Sequence, residues 1–265
     1  MKRLLFTLAV LLLLSACGGS GRESGELVVF AAASLQETLT EIGEIYQRDR
    51  PGVTLVFNFD SSGTLSTQIA EGAACDLFIS AGQKQMDGLD ATRNPGGGLD
   101  FVLPDTRMDL LENQVVLAVP EGNPAGIHDF YELSAALEAG DVLLAVGNSD
   151  VPVGQYTQAI FAFCGLDEDA LNASGVLTYG SNVKEVTTQV AEGTVDCGIV
   201  YATDAFSAGL EAVDAAAADM CGQVIYPAAV MTAGTNQDGA RDFLAFLRGE
   251  AAGEVFERVG FTPLG

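Results

Sequence analysis

The sequence predicts an α/β fold arranged as two lobes, and three observations carry that reading. A short apolar strand, an amphipathic helix and a second strand follow one another over residues 26–59. The same outline returns near Ser181, where a capped helix runs into a strand. At 265 residues, 48% of them apolar, the chain holds material for one large domain or two lobes of about 100–150 residues, and disorder is excluded. Strand–helix–strand order in turn implies parallel strands joined by crossover helices.

Each element has a local signature. Residues 26–33 (ELVVFAAA) form a short apolar run between Gly25 and Ser34, as a buried strand does. Ser34 and Glu37 have capping-box spacing, so Ser34 is expected to cap a helix carried by Leu35, Leu39, Ile42 and Ile45. Pro51-Gly52 closes the unit, and 53–59 (VTLVFNF) is the next strand. Asp60-Ser61-Ser62-Gly63 opens a helix with Leu65 and Ile69 on its apolar face; Gly72 ends it before the strand 75–81 (CDLFISA). Residues 95–98 (PGGG) are a loop, and 113–120 and 142–146 are strands. Asp150-Val151-Pro152-Val153-Gly154 leads into a helix starting near Gln155 and stopped by Gly165. Asn182 and Glu185 repeat the capping-box spacing, Gly193 ends that helix, and 197–202 (CGIVYA) is a strand. Residues 225–231 are strand-like, while 242–248 and 253–259 have helical periodicity. Crossings near Asn113 and Pro227 would give a first lobe of 26–112 plus 227–265 and a second lobe of 113–226.

The first seventeen residues read as an address. Lys2 and Arg3 precede an apolar run over 4–14 that is too short for a helix to span a bilayer of about 30 Å. Leu14-Ser15-Ala16-Cys17 resembles the lipobox of bacterial lipoproteins, which implies a signal peptide over 1–17, lipidation of Cys17 and a flexible tether over 18–25. The expected location is extracytoplasmic, anchored by lipid to the cell membrane, in the periplasm or on the cell surface.

Composition narrows the function. With 36 acidic residues against 12 basic ones, the chain lacks the Lys and Arg clusters that nucleic acid requires. His128 is the sole histidine, which excludes most His-ligated metal sites, and no metal site is expected. It lies away from the serine motifs and no G-x-S-x-G elbow occurs, so a secreted hydrolase is a remote alternative and no enzymatic activity is expected. Cys75, Cys164, Cys197 and Cys221 permit two disulfides in any of three pairings, or stand as buried thiols; none is spaced as a CxxC zinc or redox centre.

Four polar segments, around Ser34, Ser62, Val153 and Val183, sit between a strand and a helix. The first N–H groups of a helix lack intrahelical partners and carry partial positive charge. Several such openings converging on one cleft would bind an anion without Lys or Arg, although any one of them alone is an ordinary cap.

At these segments the sequence resembles a known family. Phe30-Ala31-Ala32-Ala33-Ser34-Leu35, 59–65 (FDSSGTL), 76–81 (DLFISA), 151–156 (VPVGQY), Asn182-Val183, 198–205 (GIVYATDA) and 256–261 (FERVGF) together resemble the periplasmic molybdate-binding proteins of ABC transporters. The resemblance covers essentially the whole chain after residue 25. It implies two Rossmann-like lobes joined by a hinge, the type II periplasmic-binding-protein fold. It also implies a tetrahedral oxyanion, molybdate or tungstate, bound with no cofactor. Ser34 and Ser62 would give hydroxyl and backbone donors, Val153 and Val183 backbone N–H groups, and Tyr201 its phenol. A sulfate or phosphate receptor on the same fold is the alternative. The implied partner is an ABC transporter permease, and a monomer is expected. Val153 stands where the family usually has Ala, a change that leaves a backbone donor intact. Gly63 replaces a more usual small polar residue and is expected to loosen its loop, and Asp60 is expected to point away from an anion.

Overall fold

The computed structural model describes residues 25–97 and 99–264; the signal peptide, Cys17 and the tether up to Ser24 lie outside the described residues. The first part of the chain forms β1 (Gly25–Ala32), α1 (Gln36–Asp49), β2 (Val53–Asp60), α2 (Ser62–Ala70), β3 (Leu77–Ile79), α3 (Gln83–Leu89) and β4 (Met108–Asn113). The middle forms β5 (Val115–Val119), α4 (Phe130–Ala139), β6 (Leu144–Gly147), α5 (Pro152–Cys164), α6 (Glu168–Ser174), β7 (Leu177–Gly180), α7 (Val183–Ala191), β8 (Cys197–Tyr201), α8 (Ala202–Ala208), β9 (Glu211–Ala215) and α9 (Ala218–Cys221). The chain ends in β10 (Val224–Val230), α10 (Gln237–Leu247), α11 (Glu250–Val259) and β11 (Thr262–Pro263).

Two sheets result, ordered β11-β4-β10-β3-β1-β2 and β7-β6-β8-β5-β9. Both are mixed rather than all parallel. The strand–helix–strand units pair in parallel, β1 with β2 and β3, and β6 with β7 and β8. The strands next to the crossings run antiparallel: β10 with β3 and β4, and β5 with β8 and β9. A strand that arrives from the other sheet has no helical crossover to impose parallel direction.

The crossings place the hinge. Residues 113–120 are not one strand: Asn113 ends β4 in the first sheet, and Val115 begins β5 in the second. The return occurs between β9 and β10, and Val224 already pairs with Asn113, ahead of the expected crossing at Pro227. Strands β3, β5, β6 and β8 are buried along their whole length. Helices on both faces explain this, and it is why these strands read as continuous apolar runs. A separate cluster of Phe30, Leu65, Ile69, Phe78, Met86 and Met231 seats α2 and α3 on the first sheet.

Candidate functional site

Between the sheets lies a small cavity of about 10 Å³ that brings Ser34, Ser62, Val153, Val183 and Tyr201 together, with Ser61 and Ala81 also on its wall. No Lys, Arg, Asp or Glu is among the described residues that line it.

The structure corrects how Ser34 arrives there. The chain enters α1 through a single 3-10 turn (Ala33–Leu35), so the helix starts two residues beyond Ser34 and the expected Ser34–Glu37 capping box does not form. Ser34 Oγ instead lies 2.9 Å from the Tyr226 hydroxyl, in a buried contact. Asn113 Nδ2 donates to that same Tyr226 oxygen at 3.2 Å and to Thr203 Oγ1 at 2.9 Å. The Gln114 N–H donates to Asn113 Oδ1 and fixes the amide. Because the amide can only donate, the Tyr226 hydrogen is free to go to Ser34 Oγ, an arrangement that leaves the Ser34 hydrogen for the cavity.

Ser62 is the first residue of α2, and the cap is its neighbour Ser61, whose Oγ accepts from the Thr64 N–H at 3.1 Å. Ser62 is fully buried, and its Oγ accepts from the Ala81 N–H at 2.9 Å. With that acceptance made, its own hydrogen can donate elsewhere. Asp60 turns back on its own chain, accepting from the Ser61 N–H at 2.7 Å, and does not line the cavity.

The second sheet contributes three residues. Val153 is the second residue of α5, after Val151 as cap and Pro152 at the first position; α5 therefore starts three residues before the expected Gln155. Pro is at home there because its missing N–H would have had no partner. Val183 opens α7 behind Asn182, whose Oδ1 accepts from the Glu185 N–H at 3.1 Å. The reciprocal arm of that box goes one residue earlier than expected, Glu185 Oε2 accepting from the Ser181 N–H. The first-turn amides of Val153 and Val183 thus have no carbonyl partner within their helices. Tyr201 ends β8, and its hydroxyl reaches the Ala81 carbonyl only at 3.5 Å, too long for a strong O–H···O bond. Burial drives the phenol pKa well above its ordinary value, so Tyr201 stays a proton donor.

The walls meet closely. A Cβ on Gly63 would lie 2.2 Å from the Asp150 carbonyl oxygen across the cleft, and one on Gly82 would lie 3.4 Å from Pro152. Gly63 is therefore a contact point in the first turn of α2, not a loosened loop. Beside Val183, Lys184 Nζ lies 2.7 Å from Glu37 and 3.0 Å from Asp204. Burial alone would lower the Lys184 pKa, but Asp204 and Glu37 outweigh it and hold the ammonium charged. Burial pushes the Asp204 carboxyl up to about 6 despite that ammonium.

Tyr226 went unnoticed in the sequence, and Asn113 and Ser61 were read only as a crossing between lobes and part of a helix opening. Tyr226 sits in an apolar strand where only its hydroxyl is unusual, and no short-range spacing marks its partner. His128 is exposed, and its Nδ1 lies 3.1 Å from Glu132, not from a serine or cysteine. All four described cysteines are free, with Cys75 and Cys197 buried.

Two α/β lobes with a small cavity lined by uncharged residues between their sheets are the architecture of a solute-binding protein. The chain belongs to the family of bacterial extracellular solute-binding proteins, whose sequence profile matches residues 27–262. A Bacillus subtilis (strain 168) relative, provisionally named an ABC transporter substrate-binding lipoprotein, YvgL, is 33% identical over 237 residues, covering 89% of this chain and 86% of its own. The molybdate-binding protein ModA of Haemophilus influenzae is 32% identical over 253 residues, 95% of each chain. The Azotobacter vinelandii periplasmic molybdate-binding protein superimposes with a TM-score of 0.75 at 22% identity, over 90% of this chain and all of that one, which establishes the shared fold.

Proposed function

We propose that the protein captures molybdate, or its isostere tungstate, outside the cytoplasm and delivers it to the permease of an ABC importer. The anion sits between the lobes, held by the hydroxyls and amides of Ser34 and Ser62, the amides of Val153 and Val183, and the phenol of Tyr201. The observation that carries this reading is the convergence of these five residues on one small cavity with no charged side chain among its described lining residues. Relatives named for molybdate at 32% identity over nearly the full chain support the choice of anion.

The mechanism is closure. Ser34 and Ser62 belong to elements of the first sheet, Val153, Val183 and Tyr201 to elements of the second, so neither side alone completes the donor shell. The lobes turn about the crossing at Gln114 and the return between β9 and β10, and the ligand stabilises the closed state by its differential affinity. A wall without carboxylates offers the proton of hydrogen phosphate no charged acceptor, which favours fully ionised oxyanions. No reaction is catalysed. Lipid on Cys17 tethers a monomer to the membrane.

Calorimetric titration of the purified protein with molybdate, repeated in excess sulfate and then phosphate, tests this. One-to-one binding that survives both competitors is the expected result. Binding abolished by sulfate reassigns the ligand, and no heat with any oxyanion overturns the reading.

A further inference from the structure

Basic side chains are scarce in this chain, and one of them stands at the cleft. Lys184 follows Val183 at the start of α7, and its ammonium is shared by two carboxylates from different lobes. Asp204, on α8 in the same lobe as Lys184, is fully buried, and its Oδ2 has no hydrogen-bond partner among the described residues. Glu37, on α1 of the other lobe, is half exposed and lies three residues beyond Ser34. The pair Lys184–Glu37 therefore spans the two elements that bring Ser34 and Val183 to the cavity, and α7 packs directly on the 3-10 turn that carries Ser34.

We propose that Lys184 and Glu37 form a clasp that is made only when the lobes close, with Asp204 as the fixed counter-charge that aims the Lys184 ammonium across the cleft. Lys184 and Glu37 are positioning residues: neither lines the cavity, and they stabilise the closed state without touching the ligand. Asp204 and Lys184 move together as parts of one lobe, so their contact is independent of closure. The contact to Glu37 is the one that opening breaks. This inference rests on the oxyanion-binding reading above.

A rival role for Lys184, as a positive charge that simply attracts the anion, makes the opposite prediction at Glu37. If only the field mattered, removing the Glu37 charge would tighten binding. A clasp requires the reverse. Partly exposed ion pairs are worth little each, so Glu37→Gln is expected to weaken molybdate affinity about two- to fivefold. Glu37→Lys, which sets two ammonium groups against each other, is expected to weaken it further. Raised salt should narrow the gap between wild type and Glu37→Gln. Glu37 is exposed enough that neither variant threatens folding, which thermal melts of the ligand-free protein check.

Calorimetry with molybdate supplies the affinities, and small-angle scattering with and without molybdate reads closure. Affinity that is unchanged or tighter in Glu37→Lys overturns the clasp. A wild type that gives no heat with molybdate, tungstate or sulfate overturns the binding reading. With no ligand to drive closure, a contact made only on closing does not form, so that result overturns the clasp as well.

Discussion

Replacing Gly63 by Ala separates closure from folding more cleanly than any other single change. Gly63 lies in the first turn of α2 with an ordinary helical backbone, so Ala is conformationally welcome there. Within a helix Ala is favoured over Gly by up to about 1 kcal/mol, and the open, ligand-free protein should be as stable as wild type or slightly more so. Closure is different, because the new Cβ would lie 2.2 Å from the Asp150 carbonyl oxygen and 3.1 Å from its carbon. The obstacle is backbone and cannot rotate away. The lobes must stay about 1 Å farther apart at this point, and overpacking of that kind costs about 1–3 kcal/mol. Borne by the closed state alone, this cost weakens molybdate binding about 5- to 150-fold. Calorimetric titration gives the affinity, and scanning calorimetry of the ligand-free protein gives the stability. Affinity within twofold of wild type would show that the ligand-bound lobes do not meet at Gly63. A drop in ligand-free stability matching the loss of affinity would refute the assignment of this contact to closure.

Four further changes probe the site and its surroundings. Ser62→Ala removes a donor to the ligand and strands the buried Ala81 N–H, so binding should weaken at least tenfold and unfolding should come about 1–3 kcal/mol sooner in denaturant melts. Tyr201→Phe gives up only a 3.5 Å contact within the protein, so its thermal midpoint should hold while affinity falls about tenfold; a matching loss of stability would assign the hydroxyl to packing instead. Asp204, with its carboxyl raised to about 6, contributes stability that is complete below the unfolded value of 3.8 and is lost as pH rises through about 6. Wild type should therefore gain about 2 kcal/mol from this group on acidification from pH 7.5 to 4.5, and Asp204→Asn should flatten that slope in thermal melts across the range. Cys75 and Cys197, pushed up to about 12 by burial, should resist alkylation of the native protein at pH 8, whereas the half-buried Cys164 should be labelled first on peptide mapping.

The parts of this fold that were legible in the sequence are those governed by neighbours a few residues apart. Apolar runs marked β1, β2, β3, β6 and β8, and Gly165 and Gly193 closed helices where they were expected. The five cavity residues were legible because four lie at strand-to-helix junctions, whose polar residues stand out between apolar runs. What was lost depends on the other lobe. Residues 113–120 read as one strand because a single residue, Gln114, separates the two strands, with no Gly or Pro to punctuate the crossing. Strand direction was misread for the same reason, since β10 takes its partners from β3 and β4, far away in sequence. The capping box at Ser34 failed because Ser-x-x-Glu is equally compatible with a 3-10 turn once a distant hydroxyl competes for Ser34. That competitor, Tyr226, is 192 residues away, and the partner that claims Glu37 is 147 residues away.

The acidity of the chain and its affinity for an anion act at different ranges. Carboxylates farther from the cleft than the Debye length, about 8 Å at physiological salt, are largely screened from it. For the proposed anion the partners would be the neutral O–H and N–H groups that line the cavity, and hydrogen bonds to a charged acceptor are worth about 1.5–3 kcal/mol each. Acidity therefore slows the approach of a dianion at low salt more than it weakens the bound state. Neutral donors also suit a protein that must let its cargo go. An arginine paired to the anion would have to be stripped of a full counter-charge on release, whereas hydroxyls and amides are rehydrated as the lobes part. Because the donors are divided between the lobes, opening removes about half of them at once. Among the described residues the charged contact that joins the two lobes near the cavity is Lys184 with Glu37, and neither residue lines that cavity.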